Sequence, residues 1–178
     1  MNAHLADTPV LETERLLLRA PQAGDYPAWR DFLCSARGNF VGGGSDVDVG
    51  RAWRAFSAIT GHWTLRGFGM FVFSDRGSGQ PLGACGPWYP EDWPEREIGW
   101  SVWHPSSEGN GYAQEAARAV LSHVFSDLGW ATAVSYIDAA NIRSQNLARR
   151  LGAALDRTAS RPDPDDLVFR HRPGAATP

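Results

Sequence analysis

The stretch from Arg96 to Ile137 restricts the fold most. Ala113, Ala116, Ala117, Val120, Leu121, Val124, Phe125 and Leu128 recur at the helical period and form one continuous apolar stripe. Gly109 and Gly111 precede the stripe, and Gly129 follows it where a left-handed residue closes a helix. Arg96 to Trp103 reads as a strand before the helix. Ala131 to Ile137 reads as a strand after it, with so little polar alternation that both of its faces are covered. A strand, a one-stripe helix and an apolar strand in succession form a βαβ unit, and the crossover makes the two strands parallel.

The rest of the chain adds an antiparallel front half. Leu16 to Ala20 is a strand ended by Pro21. Gly24-Asp25 opens a short helix with Asp25 as N-cap and Tyr26, Trp29, Phe32 and Leu33 on one face. Gly42-Gly43-Gly44-Ser45-Asp46 reads as a mobile loop. A helix follows from about Asp46 to about Leu65, with Gly61 as a point where it can break. Gly69 to Ser74, Pro81 to Trp88 and Arg96 to Trp103 follow one another closely, as in an antiparallel meander, with a hairpin turn at Asp75 to Gly79. Beyond Ile137, Asp138 to Asn141 leads into a helix, Ile142 to Leu151, closed by Gly152. Two strands, about Ala153 to Thr158 and Leu167 to Arg170, end the pattern. The expectation is one mixed α/β domain over residues 11–171, with flexible termini at 1–10 and 172–178.

Composition excludes several classes. A net charge of −3 does not suit a nucleic-acid coat, so no nucleic-acid partner is expected. No apolar run reaches the roughly 18 residues that span a bilayer, and residues 1–9 carry no basic, then apolar, leader; the expected location is cytoplasmic, with no membrane partner. Two cysteines, Cys34 and Cys85, make neither a disulfide framework nor a four-cysteine zinc site, and no other spacing suggests a metal.

Chemistry concentrates at Glu108-Gly109-Asn110-Gly111-Tyr112-Ala113. Glycines between a strand and a helix let the backbone approach a ligand and aim several N–H groups into one hollow. The helix adds its dipole and its unpaired amides, and the sum suits a diphosphate. Alone, such a loop can also be only a helix entry. Without Gly-Lys-Ser/Thr it is no P-loop, and Gln114 stands where a dinucleotide fingerprint needs Gly or Ala.

Three motifs in order carry a family resemblance. Glu97-Ile98-Gly99-Trp100, then Glu108 to Ala116, then Asn141-Ile142-Arg143-Ser144 with Leu151-Gly152, resemble the GNAT acetyltransferases. Glu12 to Arg19 resembles the ribosomal-protein N-acetyltransferase (RimJ/RimL-like) branch. The resemblance implies the GNAT acyltransferase fold: a mixed, largely antiparallel twisted sheet of about six to seven strands flanked by about four helices, splayed between the fourth and fifth strands. It implies acetyl-CoA as cosubstrate, with its pyrophosphate on the backbone of Gly109, Asn110, Gly111, Tyr112 and Ala113. It implies that Trp100, Ser101 and Val102 pair with the pantetheine arm as an added strand, and that an N–H near Val102 polarises the acetyl carbonyl. Asn141 and Ser144 match the positions that contact the cofactor and lie near its sulfur. Glu108 departs from the family loop, which often has Gln or Arg there; its side chain is expected to face solvent, away from a diphosphate.

Acetyl transfer to an amine needs a neutral nucleophile and a proton for the leaving thiolate. Glu97 is the candidate base, directly or through water, and Ser144 the candidate acid, since no Tyr follows Tyr136. His104 is a further candidate base. His62 and His123 are expected at the surface or an interface. Eight tryptophans are more than a small core needs. Trp29, Trp53 and Trp130 fit packing positions. Trp63, Trp88, Trp93, Trp100 and Trp103 flank the expected acceptor groove, where Trp88, Trp93 and Trp103 would bind substrate among Glu91, Asp92, Glu95 and Glu97. Trp100 and Trp103 are expected on one strand face, with Val102 on the other. The leading function is N-acetyl transfer to a primary amine, either a small molecule or a peptide N-terminus, by direct attack in a ternary complex. A non-catalytic acyl-CoA-binding or interaction module on the same fold is the alternative, favoured by Glu108 and the missing late Tyr. Exposed indole edges would suit a homodimer.

Overall fold

The computed structural model describes residues 5–174. Of the ends read as flexible, residues 1–4 and 175–178 lie outside the described residues. Leu5, by contrast, packs against the main core. Eight strands form one sheet: β1 (Leu11–Glu12), β2 (Leu16–Arg19), β3 (Phe71–Asp75), β4 (Pro81–Trp88), β5 (Glu97–Val102), β6 (Ala133–Asp138), β7 (Ala154–Leu155) and β8 (Asp166–His171). Their order is β1-β2-β3-β4-β5-β6-β8-β7, one strand more than expected because Leu11–Glu12 adds a short edge. Every pairing is antiparallel except β5–β6. The α-helices are α1 (Tyr26–Leu33), α2 (Val49–Arg66), α3 (Tyr112–Ser126) and α4 (Ile142–Arg150), with short 3-10 turns at Ala23–Asp25, Ala36–Val41 and Pro105–Ser107.

Alternation along the strands divides the core in two. Phe71, Phe73, Cys85 and Ile98 turn to α3, where Ala116, Ala117, Val120, Leu121 and Val124 are all buried. Val72, Ala84 and Trp103 turn the other way, to Trp29 and Phe32 of α1 and Phe56 and Ile59 of α2. The stripe on α3 is thus the seam that fastens the crossover helix to the sheet. Its end is closed as expected: Gly129 is left-handed (φ +65°), and Trp130 N–H reaches back to Val124 O at 3.0 Å.

Several local expectations change. Asp25 makes no side-chain cap on α1; its carboxylate is 2% exposed and held by both outer nitrogens of Arg19 at 2.8 Å, so ion pairing takes the group that capping would have used. The second helix starts at Val49, where Asp48 Oδ1 accepts from Arg51 N–H at 2.7 Å, and it runs unbroken through Gly61. A mid-helix glycine costs about 1 kcal/mol, and burial of Ile59, His62 and Trp63 around it outweighs that. The Gly42–Gly44 run is hydrogen-bonded back onto the Ala36–Val41 turn and the end of α1, with Gly43 N–H on Gly38 O and Gly44 N–H on Leu33 O, both at 2.9 Å. His62 and His123 are buried, not superficial. His62 Nε2 accepts from Tyr89 N–H at 3.0 Å while Nδ1 faces Phe68 O at 2.7 Å, which fixes a neutral tautomer; burial lowers its pKa. His123 bonds Asp127 at 2.7 Å.

Among the described residues, no helix is long and apolar enough to cross a membrane. The β4–β5 contact leaves no room for a side chain at Gly83: a Cβ there would run into Ser101 O and the Phe73 ring. Gly83→Ala is expected to push β5 off β4 and destabilise the fold by roughly 1–3 kcal/mol, read as a lower urea midpoint with unchanged slope.

Candidate active site

The two parallel strands are paired at a single position. Glu97 stands opposite Val134, and Val134 N–H donates to Arg96 O at 3.0 Å. One residue further, the link is made by a side chain: Ser135 Oγ donates to Ile98 O at 2.7 Å and receives His171 Nε2–H at 3.0 Å. Beyond Ile98 the strands diverge. On its other edge β5 stays bonded to β4, and Trp103 N–H on Leu82 O (2.8 Å) fixes the alternation. Residues 97, 99, 101 and 103 therefore bond to β4, while Ile98, Trp100 and Val102 turn their backbone groups toward the gap. Trp100 and Val102 thus present an open strand edge inside a folded sheet.

A cleft of about 780 Å³ follows this edge. Trp100, Ser101 and Val102 form its floor, Gly109 and Gly111 to Gln114 one wall, and Asn141 with Arg143 and Ser144 of α4 the other. Gly109 and Gly111 are both left-handed (φ +77° and +80°), which brings the loop round so that α3 starts with its amides facing the cleft. The first intrahelical bond of α3 is Glu115 N–H on Gly111 O, so the preceding amides have no helical acceptor. The N-terminal segment fixes this helix start. Thr13 Oγ1 donates to Glu115 Oε1 at 2.6 Å, Arg15 Nε to Glu115 Oε2 at 2.7 Å, and the Arg15 guanidinium lies 4.6 Å over the Tyr112 ring. Asn141 caps α4, its Oδ1 accepting from Ser144 N–H at 3.2 Å. Ser144 Oγ accepts from the Trp100 indole N–H at 3.2 Å, which leaves the hydroxyl proton free to be donated.

Glu108 does not face solvent. It accepts from Arg37 at 2.6 Å and from Arg143 at 2.6 Å, so two guanidinia cancel the carboxylate beside the glycine loop. Burial opposes its ionisation, but these bonds win and its pKa is lowered. Arg37 also donates to Val102 O at 2.8 Å and to Trp103 O.

Glu97 lies on the opposite face of β5. Its Oε1 borders the space that a side chain at Gly99 would take, next to Met70. Its Oε2 accepts from the Trp93 indole N–H at 2.6 Å. Burial raises its pKa to about 7 against the pull of that indole, and the nearby Asp166 carboxylate adds to the rise. Trp93 meets Tyr136 edge-on at 6.3 Å. Asp166 is itself raised to about 6, by burial and by Asp163, Asp138 and Asp165. The loop carrying Trp93 is tied down by Arg170, which donates to Glu95 at 2.7 Å and to Asp156 at 2.8 Å.

Residues 15–154 match the family model for the acetyltransferase (GNAT) domain. The chain belongs to the GNAT acetyltransferase family. It is similar to an acetyltransferase from Agrobacterium tumefaciens str. C58, with 37% identity and a TM-score of 0.87 over 97% of this chain and 98% of that one. The uncharacterized protein YkkB of Bacillus subtilis is 34% identical over 94 residues, which is 52% of this chain and about half, 54%, of YkkB. The structure of AAC(6')-Ib in complex with ribostamycin and coenzyme A shares the fold, with a TM-score of 0.74 over 91% of this chain and 96% of that one, at 15% identity.

In this GNAT chain the cofactor-side candidates gather in one place: Trp100, Ser101, Val102, Gly109, Gly111, Tyr112, Ala113, Asn141 and Ser144 all line the cleft. Asn110 is turned outward, its side chain donating to Ser106 O at 2.8 Å and its carbonyl accepting from Arg15 at 3.0 Å. The tryptophans separate. Trp93 reaches Glu97, and Trp88 stacks on His62 at 4.6 Å. Trp103 is 3% exposed, packed on Trp29 at 5.6 Å, with its indole N–H on Ser101 Oγ; it belongs to the core and not to a substrate wall. The expected common face for Trp100 and Trp103 fails for the same reason. An interval of three in a strand puts them on opposite faces, and Trp100 shares its face with Val102. Trp63 is also core, buried against Phe71, whereas Trp53, expected to pack, is 59% exposed. His104 caps the Pro105–Ser107 turn through Ser106.

Sequence reading missed Arg37, which lies in no motif and reaches the site only because the Ala36–Val41 turn folds over the end of β5. It also missed the pinning role of Thr13 and Arg15, although their acidic partner Glu115 sits within the quoted motif.

The raised pKa of Glu97 has a consequence for stability. Between about 4.5 and 7 the folded chain holds a proton that the unfolded chain releases, so this group makes stability fall as pH rises through that window. Glu97→Gln should remove that part of the fall. The expected result is that the variant gains urea midpoint relative to the unaltered chain at pH 8 and not at pH 4.

Proposed function

We propose that the chain is an acetyl-CoA-dependent N-acetyltransferase acting on a primary amine by direct attack in a ternary complex, as one cytoplasmic domain over residues 11–171. The observation that carries this reading is the open edge of β5 next to the α3 amides. An amide-bearing arm can add to Trp100 and Val102 as a short strand, and a diphosphate meets the backbone of Gly109 to Ala113 at a helix N-terminus. Both fit coenzyme A, and the like-folded AAC(6')-Ib was solved with it. Acetyl-CoA supplies an activated acetyl thioester.

The chain's own residues divide the remaining work. Val102 N–H faces the gap and is the candidate donor to the acetyl oxygen. Ser144 Oγ, oriented by the Trp100 indole, is the candidate proton donor to the leaving sulfur. Glu97 is the candidate base, directly or through water. Trp93 holds one of its oxygens, and a pKa near 7 suits proton removal at neutral pH. Asp166, with Glu97 and the aromatic Trp93, favours a cationic acceptor. The segment Glu12 to Arg19 is read as RimJ/RimL-like, and its Thr13 and Arg15 hold the start of α3. The non-catalytic alternative loses its first support, since Glu108 is neutralised by Arg37 and Arg143.

The experiment is calorimetric titration with acetyl-CoA, followed by thiol release with a panel of diamines, aminocyclitols and peptide N-termini. Binding without release from any amine would favour the module reading, and no binding would remove the cofactor assignment. Glu97→Gln should lower kcat/KM by roughly 10²-fold. The loss should be greatest above pH 7, because below it the native carboxyl is already protonated. This reverses the simple expectation that the base matters most at low pH. Gly111→Asp sets a charged side chain at a left-handed position of the loop and should weaken CoA binding by at least about tenfold; an unchanged Kd would reassign the loop.

A further inference from the structure

Glu108 is the unusual residue of the cleft, a carboxylate immediately before the amides that suit a diphosphate. Its two partners are not equivalent. Arg37 is one-quarter exposed and multiply anchored, to Glu108 Oε1, Val102 O and Trp103 O. Arg143 comes from α4 on the opposite wall, its side chain is 76% exposed, and its bond to Glu108 Oε2 is its one hydrogen bond among the described residues. The Arg143–Glu108 pair therefore runs from wall to wall across the cleft, fixed at one end and loose at the other.

We propose that Arg143 is a transferable cation: Glu108 holds it across the cleft mouth, and the diphosphate of the bound cosubstrate takes it over, while Arg37 remains as the counter-ion of Glu108. This rests on the reading of the cleft as a coenzyme A site. The diphosphate is the stronger partner, since it carries more charge and more acceptor oxygens than one carboxylate. Arg37 prevents the transfer from leaving a bare carboxylate beside it. Glu108 becomes a residue that sets cosubstrate affinity, and Arg143 one that distinguishes a diphosphate-bearing thioester from a truncated one.

The test is a double-mutant cycle on the full chain, with Kd for coenzyme A measured for the unaltered protein, Glu108→Gln, Arg143→Gln and the double variant. If binding breaks the pair, Glu108→Gln tightens coenzyme A more when Arg143 is present than in the Arg143→Gln background, by about twofold to fivefold. Arg143→Gln should weaken coenzyme A and leave the affinity for S-acetylpantetheine, which lacks the diphosphate, unchanged. Circular dichroism and the urea midpoint confirm that each variant is folded. An equal effect of Glu108→Gln in both backgrounds, a weaker Kd in Glu108→Gln alone, or equal losses for coenzyme A and S-acetylpantetheine would overturn the transfer while leaving coenzyme A binding intact. Failure of the unaltered chain to bind coenzyme A would remove the cofactor reading and this inference with it.

Discussion

One rung of backbone pairing between β5 and β6 governs the rest of the structure. Val134 N–H on Arg96 O joins the strands, Ser135 prolongs the join by one side-chain bond to Ile98, and then the sheet opens. Full pairing would have satisfied Trp100 and Val102 and left no cleft. No pairing would have split the sheet in two. The α3 crossover makes the compromise tolerable, because its buried stripe packs against β4 and β5 and keeps the layers together where hydrogen bonds are missing.

Charge is distributed around that opening in a way that the net value of −3 conceals. Arg37, Arg143 and Arg150 line the cleft on the helix side. Glu97, on the opposite face of β5, and Asp166 of β8 both hold protons more tightly than ordinary carboxyls, first through burial and then through neighbouring carboxylates.

Much of this was legible in the sequence. The stripe on α3, the closing Gly129, the meander and the parallel pair all follow from local patterns, because period and turn chemistry decide them. The glycine loop, Asn141 and Ser144 were legible as motifs, and the structure brings them to one cleft. Failures came where a side chain's partner is distant. Asp25 sits where a cap belongs, and nothing local shows that Arg19 will claim it. The partners of Glu108 have no local signal, because its two arginines come from a 3-10 turn and from α4. Nearness in sequence groups the tryptophans, whereas strand face settles their burial, so Trp103 lies in the core and Trp93 against the carboxylate.

His171 stands at the end of the chain of contacts that holds the wedge. It is 2% exposed, its pKa is lowered to about 4 by burial, and it donates as a neutral ring to Ser135, which in turn holds Ile98. The three residues are 37 and 36 positions apart in the sequence, so the opening is completed by an element made after every residue that lines it. During synthesis, a chain emerging from the ribosome can form the front meander and even α3 while β6 still lacks its β8 neighbour. The cleft is therefore among the last parts of the molecule to take shape, and a nascent chain would gain ligand protection only after the β6–β8 pair has closed.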